Sequence, residues 1–324
     1  MVANNQTKPY VVGVDVGGTN TVFGIVDANG TIIKRGHLKS TDHINVDDYI
    51  GELASAIIDS AKDVGSLEQI HAVGVGAPNA NYFTGTIDYP CNLRWPSHIP
   101  FAHLLSTALY GIPVVLNNDA NAAAIGEMRY GAAKGIKDFI EITLGTGLGS
   151  GIVTAGKVLY GHNGLAGEIG HVTIRHHGRP CGCGKCGCLE TYCSATGVAK
   201  TAKEFLESGT EDSLLRHLSP RNITSRDVYE AALAGDRLAL DVFEVTGKYL
   251  GITLANVVPI TDPEAIILFG GLTKAGEMLL APTRRHMEEN LLKPFKNRVK
   301  LLISGLKESD AALLGAAAIG WGAD

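Results

Sequence analysis

Apolar positions along this chain fall into two alternating periods. Short apolar runs end in glycine or polar turns, and between them lie segments whose apolar residues recur every three to four positions. Residues 10–16 form the first run, stopped by Gly17-Gly18-Thr19. Residues 21–27 and 31–35 flank Asn29-Gly30, a strong hairpin turn, and predict two more strands. Residues 41–64 predict a helix, with Asp47 or Asp48 near its start and Ile50, Leu53, Ile57 and Ile58 on one face. Strands follow at 71–76 and 113–116, the latter running into Asn117-Asn118-Asp119 and an Ala-rich helix at 120–130. The opening order then recurs: a strand at 139–144, the turn Gly145-Thr146-Gly147, a strand at 149–154, a turn at Ala155-Gly156 and a strand at 157–160. Either the chain carries an internal duplication or two unrelated hairpins look alike. Residues 199–258 are mostly helical in pattern, ending in a long apolar helix at 240–258 that Pro259 is expected to stop. Strands at 265–269 and 300–303 and a small-residue helix at 311–321 complete the pattern. Strands alternating with helices predict an α/β fold.

Composition narrows the possibilities. The chain has 324 residues, enough for one or two domains with sizeable cores. Apolar residues make up 45% and charged residues 19%, as in ordinary globular proteins. A net charge of -5 argues against nucleic-acid partners, which need a basic face. The N-terminal stretch lacks the apolar core of a signal peptide, and no apolar run is long enough to span a bilayer, so a cytoplasmic protein is expected. In that compartment clustered cysteines are metal ligands more often than disulfides. Cys91 and Cys193 stand apart from the cluster and read as lone buried thiols.

Three glycine turns each follow a strand: Asp15-Val-Gly17-Gly18-Thr19-Asn20, Gly145-Thr146-Gly147 and Gly270-Gly271. Glycine lets a ligand approach the backbone closely, and its N–H groups can cradle anionic oxygens. Asp15, at a strand end, could hold magnesium directly or through water. Any one such turn is also what a tight hairpin looks like; three in matched context carry more weight. Neither the dinucleotide fingerprint nor the P-loop pattern occurs at them, which argues against a Rossmann dehydrogenase and a P-loop kinase. Asp119 lies where α/β proteins place their chemistry, between a strand and a helix. It can accept a proton from a hydroxyl attacking phosphorus, with Asn118 bonding a neighbouring hydroxyl, or it can simply cap the helix.

One further segment combines metal and binding chemistry. Glu168-Ile-Gly-His171 precedes Cys181-Gly-Cys183-Gly-Lys-Cys186-Gly-Cys188-Leu-Glu190. His171 with Cys181, Cys183 and Cys188 supplies a tetrahedral zinc set, and spacing alone leaves a Cys183–Cys186 pair open. Four protein ligands make the metal a staple rather than a Lewis acid. Glu168 and Glu190 either face solvent or bond sugar hydroxyls from a loop the metal holds still.

Asp15-Val-Gly-Gly-Thr19, the run from Leu144 through His171, and Cys181-x-Cys183-Gly-x2-Gly187-Cys188-x-Glu190 together resemble the ROK family of sugar kinases and repressors, from Val11 to about Gly320. The resemblance implies a two-lobed actin-like ATPase (ribonuclease H-like) fold with a structural zinc loop. It implies a small lobe of residues 1–118 with about 308–324, and a large lobe of 119–307, with ATP and sugar bound in the cleft between them. Asp119 would be the catalytic base. Asn118, Asp119, Glu168, His171 and Glu190 would contact the sugar, and Asp15, Gly17, Gly18, Thr19, Asn20, Gly145, Thr146, Gly147, Gly270 and Gly271 would hold magnesium-ATP. His171, Cys181, Cys183 and Cys188 would bind zinc, with Cys186 a bystander. Gly76-Ala-Pro78 and Cys91-Asn92-Leu93-x-Trp95 are similar to the glucokinase branch, although a Pro usually stands where Cys91 is; Asn92 would then face the sugar. The expected activity is ATP-dependent phosphorylation of a hexose, glucose at its 6-hydroxyl first, with N-acetylglucosamine, N-acetylmannosamine, fructose or allose as alternatives. A homodimer or homotetramer is implied. A repressor would need an N-terminal DNA-binding module, for which the position of Asp15 is expected to leave no room.

Overall fold

The computed structural model describes residues 8–89 and 95–322. The chain order is β1 (Tyr10–Val16), β2 (Asn20–Asp27), β3 (Ile32–Lys39), α1 (Val46–Ala61), β4 (Ile70–Ala77), β5 (Ala80–Asn81), β6 (Thr86–Asp88), β7 (His98–Ile99), α2 (Phe101–Ala108), β8 (Val114–Asn118), α3 (Asp119–Tyr130), β9 (Phe139–Leu144), β10 (Leu148–Thr154), β11 (Lys157–Val158), α4 (Glu190–Cys193), α5 (Ala195–Ser208), α6 (Ser225–Leu233), α7 (Arg237–Thr261), β12 (Ala265–Phe269), α8 (Glu277–Asn290), β13 (Lys300–Ile303) and α9 (Glu308–Gly320). Two compact units result. One lies within Met1–Gly135, Val158–Ala166 and Gly305–Asp324, the other within Ile136–Lys157 and Gly167–Ser304.

The first unit is built on a five-stranded sheet ordered β3-β2-β1-β4-β8. β1 runs antiparallel to β2 and parallel to β4, and β4 parallel to β8. One core gathers Val12, Val14, Ile25, Val73, Val75 and Leu116 from the sheet with Leu53 and Ile57 of α1 and Phe101 and Leu105 of α2. Each such side chain contributes roughly 1.5–3 kcal/mol by leaving water. Small residues let α9 lie directly on β1 and β4: a Cβ at Gly74 would stand 1.9 Å from the Ala316 carbonyl oxygen. The unit extends through α3 because that helix packs on α9.

The second unit repeats the plan. Its sheet is ordered β11-β10-β9-β12-β13, with β9 antiparallel to β10 and parallel to β12, and β12 parallel to β13. The shared strand order favours duplication over chance likeness. Ile140, Ile142, Ile266 and Leu268 of this sheet form one core with Val242, Phe243, Leu250 and Leu254 of α7 and Leu279 and Met287 of α8.

Several boundaries differ from the sequence pattern. α1 starts at Val46 rather than 41, because the Asn45 side chain accepts the Asp47 N–H and fixes the first turn there. β3 runs on to Lys39, paired with β2 from Ile32 to Lys39 with a bulge at Ile33. The strand expected at 157–160 ends at Val158, where the chain passes into the first unit. α7 continues through Pro259 to Thr261. A proline in the last turn removes one helical N–H, and the left-handed Asp262 closes the helix by donating its N–H to the Val258 carbonyl at 2.8 Å. Among the described residues, no helix is long and apolar enough to cross a membrane.

Candidate active site

In the first unit, three parallel strands end on the same edge. Register sets Asp15 of β1 beside Gly76 of β4, Gly76 beside Asn117 of β8, and Ala77 beside Asn118. Topology thus brings Asp15 to the Asn117–Asp119 corner, at the carboxyl ends where such sheets place ligands. The Gly17–Asn20 turn is closed by the Gly17 N–H, which donates to the Asn20 carbonyl at 3.0 Å. Ser40 N–H donates to the Thr19 carbonyl at 2.9 Å. The buried Thr21 hydroxyl lies 2.9 Å from Ser40 Oγ and 2.7 Å from the Tyr49 hydroxyl, pinning the strand that follows.

The helix cap next to Asp119 is a different residue. Asn118 is the cap: its Oδ1 accepts the Ala120 N–H at 2.9 Å. Asp119 is the first helical residue, and its Oδ1 shares the same N–H at 2.8 Å. Lost hydration raises the Asp119 carboxyl above the ordinary range, although the residue still meets solvent, and the Ala120 N–H opposes the rise. Burial first, and then the Asp119 charge, push Asp15 up to about 6. Neither carboxylate has a basic side-chain partner among the described residues. Two adjacent acids with no basic partner fit a hard divalent cation.

In the second unit the Gly145–Gly147 turn links β9 to β10. Gly145 N–H donates to the Gly147 carbonyl at 3.0 Å. The Gly145 and Thr146 carbonyls accept from Ala195 N–H at 2.8 Å and the Thr196 hydroxyl at 3.0 Å, tying the turn to the start of α5. β12 pairs with β9 so that Phe269 stands beside Thr143, and Gly270-Gly271 follow next to this turn. Glu190 reaches the same place: its Oε2 accepts the Leu148 N–H at 2.9 Å. A Cβ at Gly147 would lie 2.5 Å from that oxygen, so only glycine admits the carboxylate. Glu190 is therefore no idle surface acid. It joins the Cys/His loop to the glycine turn.

The loop itself is compact. His171 Nδ1 is 3.7 Å from Cys181 Sγ, Cys183 Sγ is 3.6 Å from Cys188 Sγ, and all four ligand atoms lie within 4.8 Å of one another. Metal–sulfur bonds of about 2.3 Å in a tetrahedron give edges of about 3.8 Å, so the donor set fits zinc. Cys186 is outside the group, exposed and bridged to Pro180. Burial pushes the Cys188 thiol up to about 12, while the Lys185 N–H holds Cys183 below the usual range. His171 Nε2 faces Glu168 Oε2 at 3.9 Å. Arg179 locks the loop to the helices beside it. It donates to the Thr191 carbonyl at 2.6 Å, pairs with Glu204 at 2.7 Å, and lies 4.3 Å over the Tyr192 ring.

The structure thus brings Asp15, Gly17, Gly18, Thr19, Asn20, Asn118 and Asp119 to one unit, and Gly145, Thr146, Gly147, Glu168, His171, Cys181, Cys183, Cys188, Glu190, Gly270 and Gly271 to the other. Cys91 and Asn92 lie outside the described residues. Cys193 is a buried thiol, as expected. Sequence reasoning missed Asn117, whose side chain is buried, and Arg179; nothing in their local pattern sets them apart from an ordinary strand end and an ordinary loop cation.

The ROK family model matches residues 11–321. The chain is 37% identical over 322 residues to the glucokinase of Halalkalibacterium halodurans, covering 96% of this chain and 94% of that protein. It is similar to the crystal structure of a ROK family glucokinase from Streptomyces griseus in complex with glucose and AMPPNP, at 33% identity and a TM-score of 0.77, covering 97% and 99% of the two chains. It is also similar to a ROK family transcriptional regulator, a homolog of the E. coli MLC protein, at 26% identity and a TM-score of 0.86, covering 98% of this chain and 79% of that one. A match of this length means that the chain belongs to the ROK family.

Proposed function

We propose that the chain is an ATP-dependent glucokinase that converts glucose and ATP to glucose 6-phosphate and ADP. The reading is carried by one observation: a chain matched over nearly its full length by glucokinases sets Asp119 beside Asp15 at the strand ends, with neither acid paired to a base. Asp119 accepts the proton of the 6-hydroxyl as that oxygen attacks the γ-phosphorus. Its raised carboxyl brings its basicity nearer that of the hydroxyl it serves. Asn118 keeps its amide nitrogen as a donor, since its oxygen caps α3. Asn118, Glu168, His171 and Glu190 bond the sugar. The backbone of Gly17, Gly18, Thr19, Asn20, Gly145, Thr146, Gly147, Gly270 and Gly271 takes the phosphates. Asp15 would hold magnesium, which would neutralise charge on the phosphates.

His171, Cys181, Cys183 and Cys188 would hold zinc as a structural staple, because they fill all four positions of a tetrahedron. The staple keeps His171 and Glu190 in one rigid loop, and Glu190 shares a hydrogen bond with the glycine turn. Purified protein with ATP, magnesium and a panel of hexoses, followed by coupled ADP release, tests the reading. Glucose should give the highest kcat/KM. Preference for N-acetylglucosamine, N-acetylmannosamine, fructose or allose would keep the reaction and change the substrate.

A further inference from the structure

Residues 158–166 belong to the first unit, although their neighbours on both sides belong to the second. Contacts from Asn81, Tyr82, Phe83 and Asn117 attach this strap. Asn81 Nδ2 donates to the Asn163 carbonyl at 2.9 Å. The Tyr160 ring stacks on Tyr82, with centroids 4.2 Å apart and planes 3° from parallel. The Tyr160 hydroxyl accepts from Asn117 Nδ2 at 2.8 Å. The Asn117 side chain is buried, and its Oδ1 accepts the Asn118 N–H at 3.0 Å. Asn118 then caps α3 through Ala120, and Asp119 lies between them. One chain of hydrogen bonds therefore runs from a phenol on the strap to the backbone that presents Asp119.

The geometry points to Tyr160 as a positioning residue for the reaction: through Asn117 it fixes the strand end that aims Asn118 and Asp119. The inference rests on the glucokinase reading above. Its physical ground is that a buried amide that loses its acceptor must turn to find another partner, and turning releases the Asn118 N–H. Small displacements of a reacting group cost turnover steeply. Burial raises the phenol to about 12, so it stays protonated, and this link does not change across neutral pH.

Tyr160→Phe removes only the oxygen and keeps the stacked ring. In the intact protein it should lower kcat roughly tenfold or more, with the glucose Kd from calorimetry changed less than about threefold. Asn117→Leu should do the same, and the double variant should be no worse than Asn117→Leu alone, because both break one link. The folded fraction, read by circular dichroism, normalises each kcat. A kcat for Tyr160→Phe within twofold of wild type overturns the inference, as does a loss that disappears on normalisation or additive effects in the double variant. Wild-type protein that phosphorylates no hexose would instead remove the glucokinase reading itself.

Discussion

The Asp15 carboxyl gives a prediction that separates function from stability. It sits beside Asp119 with no basic partner among the described residues, and its folded pKa stands at about 6 against an ordinary 3.8. The folded state therefore keeps a proton between pH 3.8 and about 6 that the unfolded state has released. Stability falls as pH rises through that window and stays lower above it. Two pH units at ~1.4 kcal/mol each give about 3 kcal/mol, and partial exposure of Asp15 brings this to roughly 1–3 kcal/mol. Asp15→Asn has no proton to lose and breaks no hydrogen bond of the Asp15 side chain among the described residues. The variant should be more stable than wild type at pH 8, by about 5 °C in Tm for a unit of this size. The gap should shrink to about half at pH 5. The same variant should turn over poorly, since Asp15 is assigned to magnesium. Differential scanning calorimetry without ligands at both pH values checks this. A variant no more stable than wild type at pH 8, or a gap that widens on acidification, would refute the reasoning.

Other outcomes follow from the same structure. Asp119→Ala that still binds glucose should lose ~100-fold or more in kcat, and retention of more than about a tenth of the wild-type rate contradicts the base assignment. Cys188→Ala should lose zinc by atomic absorption and melt earlier, whereas Cys186→Ala should keep its metal; the reverse pattern would reassign the ligands. Gly74→Ala should cost about 3 kcal/mol or prevent folding, because the new Cβ meets the Ala316 carbonyl in a packed layer. Gly51→Ala on the exposed face of α1, where nothing lies within 4 Å, should stabilise by about 0.5–1 kcal/mol in urea melts.

Much of this fold is legible in the sequence where local signals agree. The strands at Phe139–Leu144, Ala265–Phe269 and Lys300–Ile303 have the expected bounds, because an apolar run meets a turn at one or both ends. Strands of two or three residues such as β5, β6 and β7 carry no period and pass unread. The start of α1 at Val46 is set by the Asn45 side chain, which accepts the Asp47 N–H, a cap that the apolar spacing of the helix does not reveal. At the site, Asp15, Asp119 and the Cys/His donor set stand out because their chemistry is unusual for a core. Asn117 and Tyr160 do not, since their contact joins residues far apart in the chain and neither is rare at a strand end or in a loop. Glu190 shows the same limit: its residue type suggests a sugar ligand, but only the fold reveals that one oxygen also fastens the glycine turn.

Transfer of phosphate from ATP to a hexose with Asp119 as base is open to one direct measurement. Wild type and Asp119→Ala are compared for ADP release and glucose 6-phosphate formation with ATP, magnesium and glucose, each protein first shown by calorimetry to bind glucose. Wild type should give stoichiometric ADP and glucose 6-phosphate, and the variant almost none. Equal turnover by the two proteins, or no phosphorylated sugar from wild type, would contradict it.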